Sequence, residues 1–526
     1  MAWFRRSISG VAPALALAAV AALVACFSLP RLRVREIAFY DEGVYVATAK
    51  ALADRSGYRN VSLPDAPPQA KYPPLVPLAL SVVWWLAPRF PENLIAMKAL
   101  ILLAGMGVLA VTYSRVEARR GRLEAVAVVA ALGVSPIFLL YTTLATSDVP
   151  FTLLSLSAIH AYERSHSRPR GFAVALLAAA LAVLTRTIGA VLFAAMVADL
   201  LLRRDVRRAV GCAVVGTLVT VPWLVWSHWA TASYAAYPPS VRGNYVGYAA
   251  GISSAAWLDH APAILQLNLS LLMYMWNGVV LPWAPLKLGS LLILGVLALS
   301  SFANRRRLPS VAGAYCGAYL FCVLIAPYPD TVRYALAVSP FLVGQFLAGA
   351  RGAIEKGLPA PAKRIAGVAL TVALVLAALA ANARLDWRAV RERDAALWTE
   401  FDGMMSWIRE TLPADAVVVG DFDPAYYLIT GRKAIRLSVN DNLGIYYASE
   451  VVREFPHARE LVDGFQRMGA CYVIRSDYGR LEDTFFGHLI EALGAASPTP
   501  LRVVYSSRDG RFMVYRWSGC KPTPER

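Results

Sequence analysis

Long apolar blocks alternate with short clusters of arginine along most of the chain, as far as about residue 382. The blocks have the length of helices that cross a hydrocarbon core of about 30 Å. Cytoplasmic loops carry an excess of basic residues, so placing every arginine cluster inside fixes the path of the chain. The pattern predicts about eleven transmembrane helices and a cytoplasmic N-terminus. The predicted spans are 11–29, 93–114, 123–142, 149–163, a hairpin over 171–202 that turns at 185–187, 209–229, 285–303, 309–327, 333–350 and 364–382.

The first loop of this path, residues 30–92, is predicted to lie outside the cytoplasm. Apolar residues at helical spacing predict a helix over 42–55. One face of this helix is formed by Val44, Thr48, Ala51 and Leu52. The apolar stretch 73–87 is only marginally long for a span, and counting it would place the arginine cluster 115–122 outside. Together with its Trp84-Trp85 pair, this favours an interfacial or re-entrant helix.

The pattern changes after the last predicted span, and residues 383–526 have the mixed pattern of an α/β domain of ordinary size. Short apolar runs predict strands, and the segment 446–468 is predicted to be helical. The predicted strands are 416–419, 471–474, and a hairpin of 503–505 and 512–515 around the turn signal 508–510. The predicted fold class is an all-α polytopic membrane domain, residues 1–382, followed by an extracytoplasmic α/β domain.

The composition agrees with a membrane protein, since 57% of the 526 residues are hydrophobic and 17% are charged. The net charge of +17 comes from the arginine clusters between apolar blocks. It therefore indicates membrane topology, and no nucleic acid partner is expected. Six cysteines are too few and too scattered for a disulfide framework or a metal site. Cys471 and Cys520 are able to pair if the C-terminal domain is extracytoplasmic.

The outer loop 30–92 begins and ends with groups that suit catalysis. Asp41 and Glu42 open its predicted helix. Asp41 is interpreted either as the N-cap of that helix or as a general base held at the membrane surface. Lys71 stands near the other end, before two prolines that stiffen the turn. Lys71 either snorkels at the interface or neutralises a phosphate presented from the membrane.

Three further charged residues fall on the same predicted side of the membrane. Asp148 lies in the turn before the span 149–163, Arg186 lies at the hairpin tip, and Arg333 begins a later helix. A contact between Asp148 and Arg186 would be a purely structural explanation, because arginine at such depth is usually paired. Two carboxylates and three cations on one face of the membrane predict instead a polar pocket that opens outward.

Aromatic residues supply candidate contacts to a sugar. Those of the loop 230–262 suit stacking on sugar rings, and equally an interfacial belt. They are Tyr234, Tyr237, Tyr245, Tyr248 and Trp257. Tyr40 and Tyr72 stand beside the charged groups of the first outer loop. The candidate contacts to sugar or acceptor are Tyr40, Tyr72, Tyr245 and Tyr248.

The combination resembles the GT-C glycosyltransferases, in particular the family 39 and aminoarabinose-transferase-like group that uses polyprenyl-phosphate sugars. The resemblance covers roughly residues 30–350 and rests on the order and shared side of four short motifs. These are Asp41-Glu42, Lys71-Tyr72-Pro73-Pro74-Leu75, Ser147-Asp148-Val149-Pro150 and Arg333-Tyr334. The segment 426–432, YYLITGR, is similar to one common in the soluble tails of such proteins.

The resemblance implies a GT-C membrane domain and an inverting glycosyltransferase. Asp41 would be the general base on the acceptor hydroxyl, with Glu42 beside it, and Asp148 the second acidic residue of the site. The donor would be a polyprenyl-phosphate sugar, and the acceptor lipid A, a protein hydroxyl or another glycan. The enzyme would act on the outer face of the cytoplasmic (inner) membrane.

The same resemblance assigns the donor phosphate to Lys71 and to Arg186 or Arg333. Where the family commonly has lysine directly before the prolines, Tyr72 intervenes in this chain. Lysine and arginine can neutralise the charge of a monophosphate, whereas enzymes with diphosphate donors more often use a metal ion. No metal ligand and no required cofactor are therefore assigned, and a divalent metal stays open.

Two other interpretations compete with this one. A transporter or flippase of a lipid-linked sugar would also carry intramembrane charges, but at mid-membrane on broken helices and often with inverted repeats. A sensor whose outer domain binds a ligand leaves the first-loop charges unexplained. The pattern Asp421-Phe422-Asp423 matches the Asp-x-Asp of nucleotide-sugar enzymes, but it lies away from cytoplasmic nucleotide sugars and is predicted to be a turn before Pro424. The charges on one face favour the glycosyltransferase.

Overall fold

Helices dominate the computed structural model, and a small sheet lies near its C-terminal end. The structure describes residues 2–32, 37, 40–165, 170–235, 237, 255–280, 310–326, 331–355, 395–420, 422–436, 464–476 and 501–517, with single residues between 359 and 380. Its helices are α1 (Ala2–Leu32), α2 (Tyr40–Ala53), α3 (Leu75–Leu86), α4 (Leu94–Arg120), α5 (Arg122–Gly133), α6 (Pro136–Tyr141), α7 (Asp148–Arg164), α8 (Arg170–Val183), α9 (Ala190–Leu202), α10 (Val206–Thr231), α11 (Ala255–Val280), α12 (Val311–Ile325), α13 (Thr331–Tyr334), α14 (Ser339–Glu355), α15 (Ala395–Thr411) and α16 (Asp423–Thr430). Its strands are β1 (Val417–Gly420), β2 (Lys433–Arg436), β3 (Ala470–Arg475), β4 (Leu501–Ser506) and β5 (Met513–Trp517).

Several predicted spans coincide with helices of the structure. α4 covers the span 93–114 and α10 covers 209–229. In the described part of the chain, α4 and the segment Val206–Tyr234 are long and apolar enough to cross a membrane. The span 171–202 is present as α8 and α9, with the break between them where the turn was predicted. The span 285–303 lies outside the described residues, so eleven crossings stay a prediction.

The predicted span 123–142 is two helices rather than one. α6 begins at Pro136, and the hydroxyl of Ser135 caps it by accepting a hydrogen bond from the Phe138 amide at 3.4 Å. A serine N-cap followed by proline in the first turn is a common helix start. The Ser135-Pro136 pair therefore divides an apolar block that hydropathy alone joins.

One long helix departs from the sequence-based expectation. α11 begins at Ala255 and therefore includes the last part of the predicted outer loop 230–262. Pro262 and Asn268 interrupt the apolar run and hide the helix from a hydropathy pattern. The Asn268 amide donates to the carbonyls of Leu324, at 2.9 Å, and Ala326, at 2.7 Å, where α12 ends. The last carbonyls of a helix lack partners of their own, so this buried amide satisfies two of them.

The chain divides into two compact units. The first unit consists of Met1–Arg35, Ile95–Pro222 and Pro262–Ala389. The second unit consists of Glu36–Leu94, Trp223–Ala261 and Val390–Arg526. Within the first unit α4, α5, α11 and α14 share an apolar core that includes Val116, Val128, Leu272 and Phe346. The second unit contains the first outer loop together with the C-terminal region.

In the second unit, the helix predicted over 42–55 is α2, and it is buried on almost every side. It packs against α3 and α16. The Trp84 indole of α3 donates to the Val46 carbonyl of α2 at 3.0 Å. The predicted single apolar face, Val44 to Leu52, is therefore only part of the buried surface, because α2 has protein on several sides.

The predicted interfacial helix 73–87 is α3, and its two faces differ in exposure. Leu80 and Trp84 are buried, whereas Val82 and Trp85 are exposed. A short helix with a buried face and an exposed apolar face suits an interfacial position, as the sequence predicts.

The C-terminal region of the second unit contains a five-stranded sheet in the order β2-β1-β3-β5-β4. β1 pairs in parallel with β2 and β3, and β5 pairs antiparallel with β3 and β4. The predicted strands 416–419 and 471–474 and the predicted hairpin are confirmed. β2 was not predicted, because four residues with a charge at each end carry little strand pattern. Most of the predicted helix 446–468 lies outside the described residues.

The free edge of β2 is covered by the first outer loop. The Ala434 amide donates to the Ser62 carbonyl at 2.9 Å, and the Lys433 ammonium donates to the Val61 carbonyl at 2.7 Å. An open sheet edge invites pairing with other chains, so this cover protects the sheet.

Four cysteines are free thiols, namely Cys26, Cys212, Cys316 and Cys322. Cys471 at the start of β3 is disulfide-bonded. Cys520, with which it is able to pair in an extracytoplasmic domain, lies outside the described residues.

Candidate functional site

Asp41 lies in the first turn of α2, in the second unit. The helix begins at Tyr40, so Asp41 is inside the helix rather than at its N-cap. Its residue surface is only 8% exposed, and that of Glu42 is 0% exposed. Carboxylates in a first helical turn interact favourably with the positive end of the helix dipole. The Tyr72 hydroxyl donates a hydrogen bond to Asp41 Oδ1.

Tyr72 links the two ends of the first outer loop. Its ring centre lies 4.7 Å from that of Tyr45 on α2, and its carbonyl accepts a hydrogen bond from the Tyr58 hydroxyl at 2.6 Å. The Lys71 ammonium lies 5.3 Å from the centre of the Tyr72 ring. The extra tyrosine in the lysine–proline motif is therefore buried against Asp41 and carries Lys71 on its face.

The segment before Lys71 is held by side chains from the end of α10 and the turn after it. The Trp226 indole donates to the Gln69 carbonyl at 2.9 Å, and the Ser227 hydroxyl donates to the Ala70 carbonyl at 2.5 Å. The Tyr234 hydroxyl donates to the Pro68 carbonyl at 3.0 Å. These bonds fix three consecutive peptide units, so the position of Lys71 is set by its backbone.

Asp148, Arg186 and Arg333 form an ion-pair cluster in the first unit. Asp148 is the first residue of α7, and its Oδ1 accepts a hydrogen bond from the Arg186 guanidinium. Nε of Arg333 lies 3.8 Å from the same oxygen. All three side chains are buried. The contact between Asp148 and Arg186, predicted as the structural interpretation, is therefore present.

The same cluster contains an aromatic ring. The guanidinium of Arg186 lies 4.7 Å from the centre of the Tyr334 ring, and that of Arg333 lies 5.3 Å from it. The Tyr334 carbonyl accepts a hydrogen bond from the Tyr319 hydroxyl at 2.9 Å. Two guanidinium groups therefore lie beside one carboxylate and one aromatic ring in this cluster.

The structure thus distributes the predicted site residues over both units. Tyr40, Asp41, Glu42, Lys71 and Tyr72 belong to the second unit, with Asp41 and Tyr72 in direct contact. The first unit holds the ion-pair cluster. Two of the candidate contacts, Tyr245 and Tyr248, lie outside the described residues.

Tyr234 and Tyr237 are not exposed surfaces for stacking. Both are buried in an apolar core of the second unit, together with Leu63 and Phe465. Their hydroxyls bind backbone groups of the first outer loop, and that of Tyr237 accepts a hydrogen bond from the Asp65 amide at 3.2 Å. These two tyrosines therefore hold the backbone of the first outer loop in position.

Sequence reasoning did not assign a place to Lys98, Asp423 or Arg436, of which the first two are buried and the third is half-buried. Lys98 lies in the first-unit part of α4 and is 1% exposed. A lysine within an apolar helix is usually functional or paired, so the sequence could have identified it as a candidate. Asp423, predicted to be in a turn, is the first residue of α16 and is 0% exposed. Burial raises the pKa of Asp423 to about 7, against the opposing effects of Arg436, Tyr40 and Ser62. Arg436 ends β2, which the sequence pattern did not reveal.

Within the part of the chain that the structure describes, no group of three or more histidine, cysteine, aspartate or glutamate side chains could hold a metal ion. The expectation that no metal is required stays a prediction.

A family model for dolichyl-phosphate-mannose-protein mannosyltransferases matches residues 71–226. The matched segment begins at Lys71 and includes Asp148 and Arg186. No curated protein matches the chain at a significant level.

Solved structures of two proteins resemble the chain over nearly its whole length. ArnT from Cupriavidus metallidurans bound to undecaprenyl phosphate has a TM-score of 0.57 at 16% identity, covering 96% of this chain and 99% of that chain. The apo state of the same protein has a TM-score of 0.56 at 15% identity, covering 96% of this chain and 98% of that chain. The Archaeoglobus fulgidus oligosaccharyltransferase, tethered to an acceptor peptide with the NVT sequon, gives 0.56 at 13% identity, covering 96% and 74%.

At these identities the likeness to solved structures establishes the fold. The family match, which covers residues 71–226, is to mannosyltransferases. The resemblance predicted from the sequence is confirmed: the chain has the fold of the GT-C glycosyltransferases, and its residues 71–226 match the protein mannosyltransferase family.

Proposed function

We propose that the chain is an inverting glycosyltransferase that moves a sugar from a polyprenyl-phosphate donor to an acceptor on the outer face of the cytoplasmic membrane. The mannosyltransferase match and the GT-C fold support the reaction class. ArnT is bound to undecaprenyl phosphate in its structure, which supports the donor class. The acceptor is a hydroxyl of lipid A, a protein or another glycan.

The hydrogen bond from Tyr72 to Asp41 carries the proposal. A general base must be held in a fixed orientation within reach of the proton that it takes. Tyr72 holds one oxygen of the Asp41 carboxylate, and the ring of the same tyrosine lies against the Lys71 ammonium. The loop thus connects a base to a cation through one side chain, with Glu42 buried next to the base.

The proposed reaction is a single displacement. Asp41 accepts the proton of the acceptor hydroxyl while the hydroxyl oxygen attacks the anomeric carbon. The bond from the anomeric carbon to the phosphate oxygen breaks, and polyprenyl phosphate leaves with the bonding electrons. Attack opposite the leaving group inverts the anomeric centre.

Positive charge on the leaving phosphate stabilises the transition state of this displacement. Lys71, Arg186 and Arg333 are assigned to that role. Asp148 is assigned to hold the two arginines, which it contacts in the first unit. Guanidinium groups fixed in advance bind a phosphate without paying for reorganisation at the moment of reaction.

The disulfide of Cys471 supports an extracytoplasmic C-terminal region. Disulfides persist in oxidising compartments and are rare in the cytosol. We assign residues 1–382 to the membrane domain, with its N-terminus in the cytoplasm, and residues 383–526 to an outer domain.

The test uses the purified full-length protein in lipid nanodiscs with a panel of polyprenyl-phosphate sugars and candidate acceptors. Asp41→Asn is expected to lower the transfer rate by about 10²- to 10⁴-fold, the usual contribution of a general base. Asp65→Asn, an exposed aspartate of the same loop, is the matched control and should transfer at the wild-type rate. Wild-type rates in folded Asp41→Asn would overturn the assignment.

Movement of the intact lipid-linked sugar across the bilayer, with no new glycosidic bond, would favour the flippase alternative instead. The measurement is mass spectrometry of the acceptor beside a leaflet-accessibility assay on the same vesicles.

A further inference from the structure

The buried carboxylate of Asp423 has no role in the proposed reaction. It belongs to the second unit and opens α16, where both of its oxygens are buried. Aspartate is rarely buried completely unless charged or polar groups face it. Arg436 on β2, Tyr40 on α2 and Ser62 of the first outer loop lie close enough to lower the pKa of Asp423. Asp423 therefore faces the loop that carries the proposed base.

Arg436 reaches the same part of α2. Its guanidinium lies 4.3 Å from the centre of the Tyr40 ring, the distance of a cation–π contact. Tyr40 immediately precedes Asp41 in the first turn of α2. A residue at the end of a sheet strand and a residue at the start of α16 thus converge on the tyrosine beside the proposed base.

The backbone of α2 approaches α16 closely at the next turn. A Cβ atom added to Gly43 would lie 2.7 Å from Cβ of Pro424, closer than real Cβ contacts. Glycine is therefore required at this position for the two helices to meet. The contact fixes how far the first turn of α2 lies from Asp423.

We propose that Asp423 and Arg436 are positioning residues that hold Tyr40 and the first turn of α2, and thereby orient the carboxylate of Asp41. The inference rests on the proposed function, since it takes Asp41 as the base. It makes the C-terminal region part of the working site and gives the Asp-x-Asp pattern a role without nucleotide or metal. Neither residue touches substrate; both act through Tyr40.

The experiment measures kcat, the KM for the lipid-linked donor and the thermal midpoint of full-length variants. Arg436→Ala is expected to lower kcat at least tenfold, while the donor KM stays within twofold, because the cations assigned to the phosphate are unchanged. Arg436→Lys keeps the charge and should recover at least a third of the wild-type kcat. Gly43→Ala leaves the charges of Asp423 and Arg436 in place. It should lower kcat about tenfold, because the added methyl group forces α2 away from Pro424.

Two control variants are expected to keep wild-type kcat. Arg502→Ala removes an exposed arginine from the opposite edge strand, β4, and Gly317→Ala adds a methyl group on α12 where no atom lies within 4 Å. If Arg436→Ala fails to fold, Arg436→Lys and Gly43→Ala decide the question. Wild-type kcat in the folded variants, or a raised donor KM at unchanged kcat, overturns the inference.

Asp41→Asn is measured in parallel to separate the two proposals. Wild-type transfer by Asp41→Asn refutes the base assignment itself. Loss of transfer in Asp41→Asn together with wild-type kcat in Arg436→Ala and Gly43→Ala refutes only the positioning role.

Discussion

The Tyr72 hydroxyl donates a hydrogen bond to the carboxylate of Asp41, and this bond joins the two ends of the first outer loop. The two residues are 31 positions apart, one in the first turn of a helix and the other before a pair of prolines. The extra tyrosine that separates Lys71 from the prolines is thus part of the proposed site, and substituting it tests that proposal directly.

Tyr72→Phe keeps the ring that supports Lys71 and removes only the hydrogen bond to Asp41. A hydrogen bond to a charged group contributes about 1.5–3 kcal/mol, so kcat should fall roughly ten- to a hundredfold. The donor KM should stay near the wild-type value. Steady-state kinetics with a fixed acceptor measure both quantities.

Tyr58→Phe is the matched control for that variant. It removes a hydrogen bond of 2.6 Å to the Tyr72 carbonyl and leaves the Asp41 contact in place. The free energy of unfolding should fall by about 1 kcal/mol, and kcat should change little. Equal losses of kcat in the two variants would contradict a specific role for the hydroxyl.

Lys71→Met should raise the donor KM by about tenfold or more, because the phosphate loses one cation while the methionine keeps the length of the side chain. Lys50→Met serves as the control, since Lys50 pairs with Asp54 at the surface of the same loop. The affinity of the protein for polyprenyl phosphate, measured without acceptor, separates binding of the donor phosphate from the chemical step. An unchanged affinity in Lys71→Met would exclude a phosphate contact.

Asp148→Ala should destabilise the first unit strongly. It leaves Arg186 and Arg333 buried without their shared carboxylate, and breaking a buried pair costs about 3–5 kcal/mol. Arg122→Ala, which removes an exposed partner 2.9 Å from Glu117, should cost about 0–1 kcal/mol. Thermal unfolding in detergent compares the two, and equal midpoints would show that the buried cluster adds no stability.

The stability of the second unit should depend on pH through Asp423. Its pKa is about 7 in the folded protein and about 3.9 in an unfolded chain, so the folded state binds the extra proton between these values. This group therefore lowers stability as pH rises from about 4 to about 7 and has no further effect above that. Asp423→Asn cannot ionise, so its thermal midpoint should rise relative to wild type across the same window.

Asp415→Asn, an exposed aspartate of the same domain, should show a constant difference from wild type over this range. A constant difference for Asp423→Asn as well would contradict the assignment of the titrating group to Asp423.

Local patterns were sufficient for the predictions that were confirmed. The period of apolar residues placed α2, α3 and most helices of the first unit, and short β-branched runs placed β1 and β3. The contact between Asp148 and Arg186 was foreseen because a buried arginine needs a partner. Each of these depends on residues near one another in sequence or on one strong physical requirement.

The missed features depend on contacts that no local pattern records. Asp423 resembled a turn because aspartate before proline usually is one, and only its burial against Tyr40 and Arg436 distinguishes it. α11 was hidden by Pro262 and Asn268, the latter satisfied by carbonyls of a distant helix. α2 was predicted to bury a single apolar face, because its neighbours α3 and α16 come from other parts of the chain.

The cover of β2 by the first outer loop has a consequence for how the protein is made. Val61 and Lys433 are 372 residues apart, so at ~5–20 residues per second the loop waits about 20 to 75 s for the ribosome to deliver its partner. During that interval the carbonyls of Val61 and Ser62 lack the donors that β2 supplies. This part of the first outer loop therefore gains its contacts with β2 only late in synthesis, after residue 433 has been added.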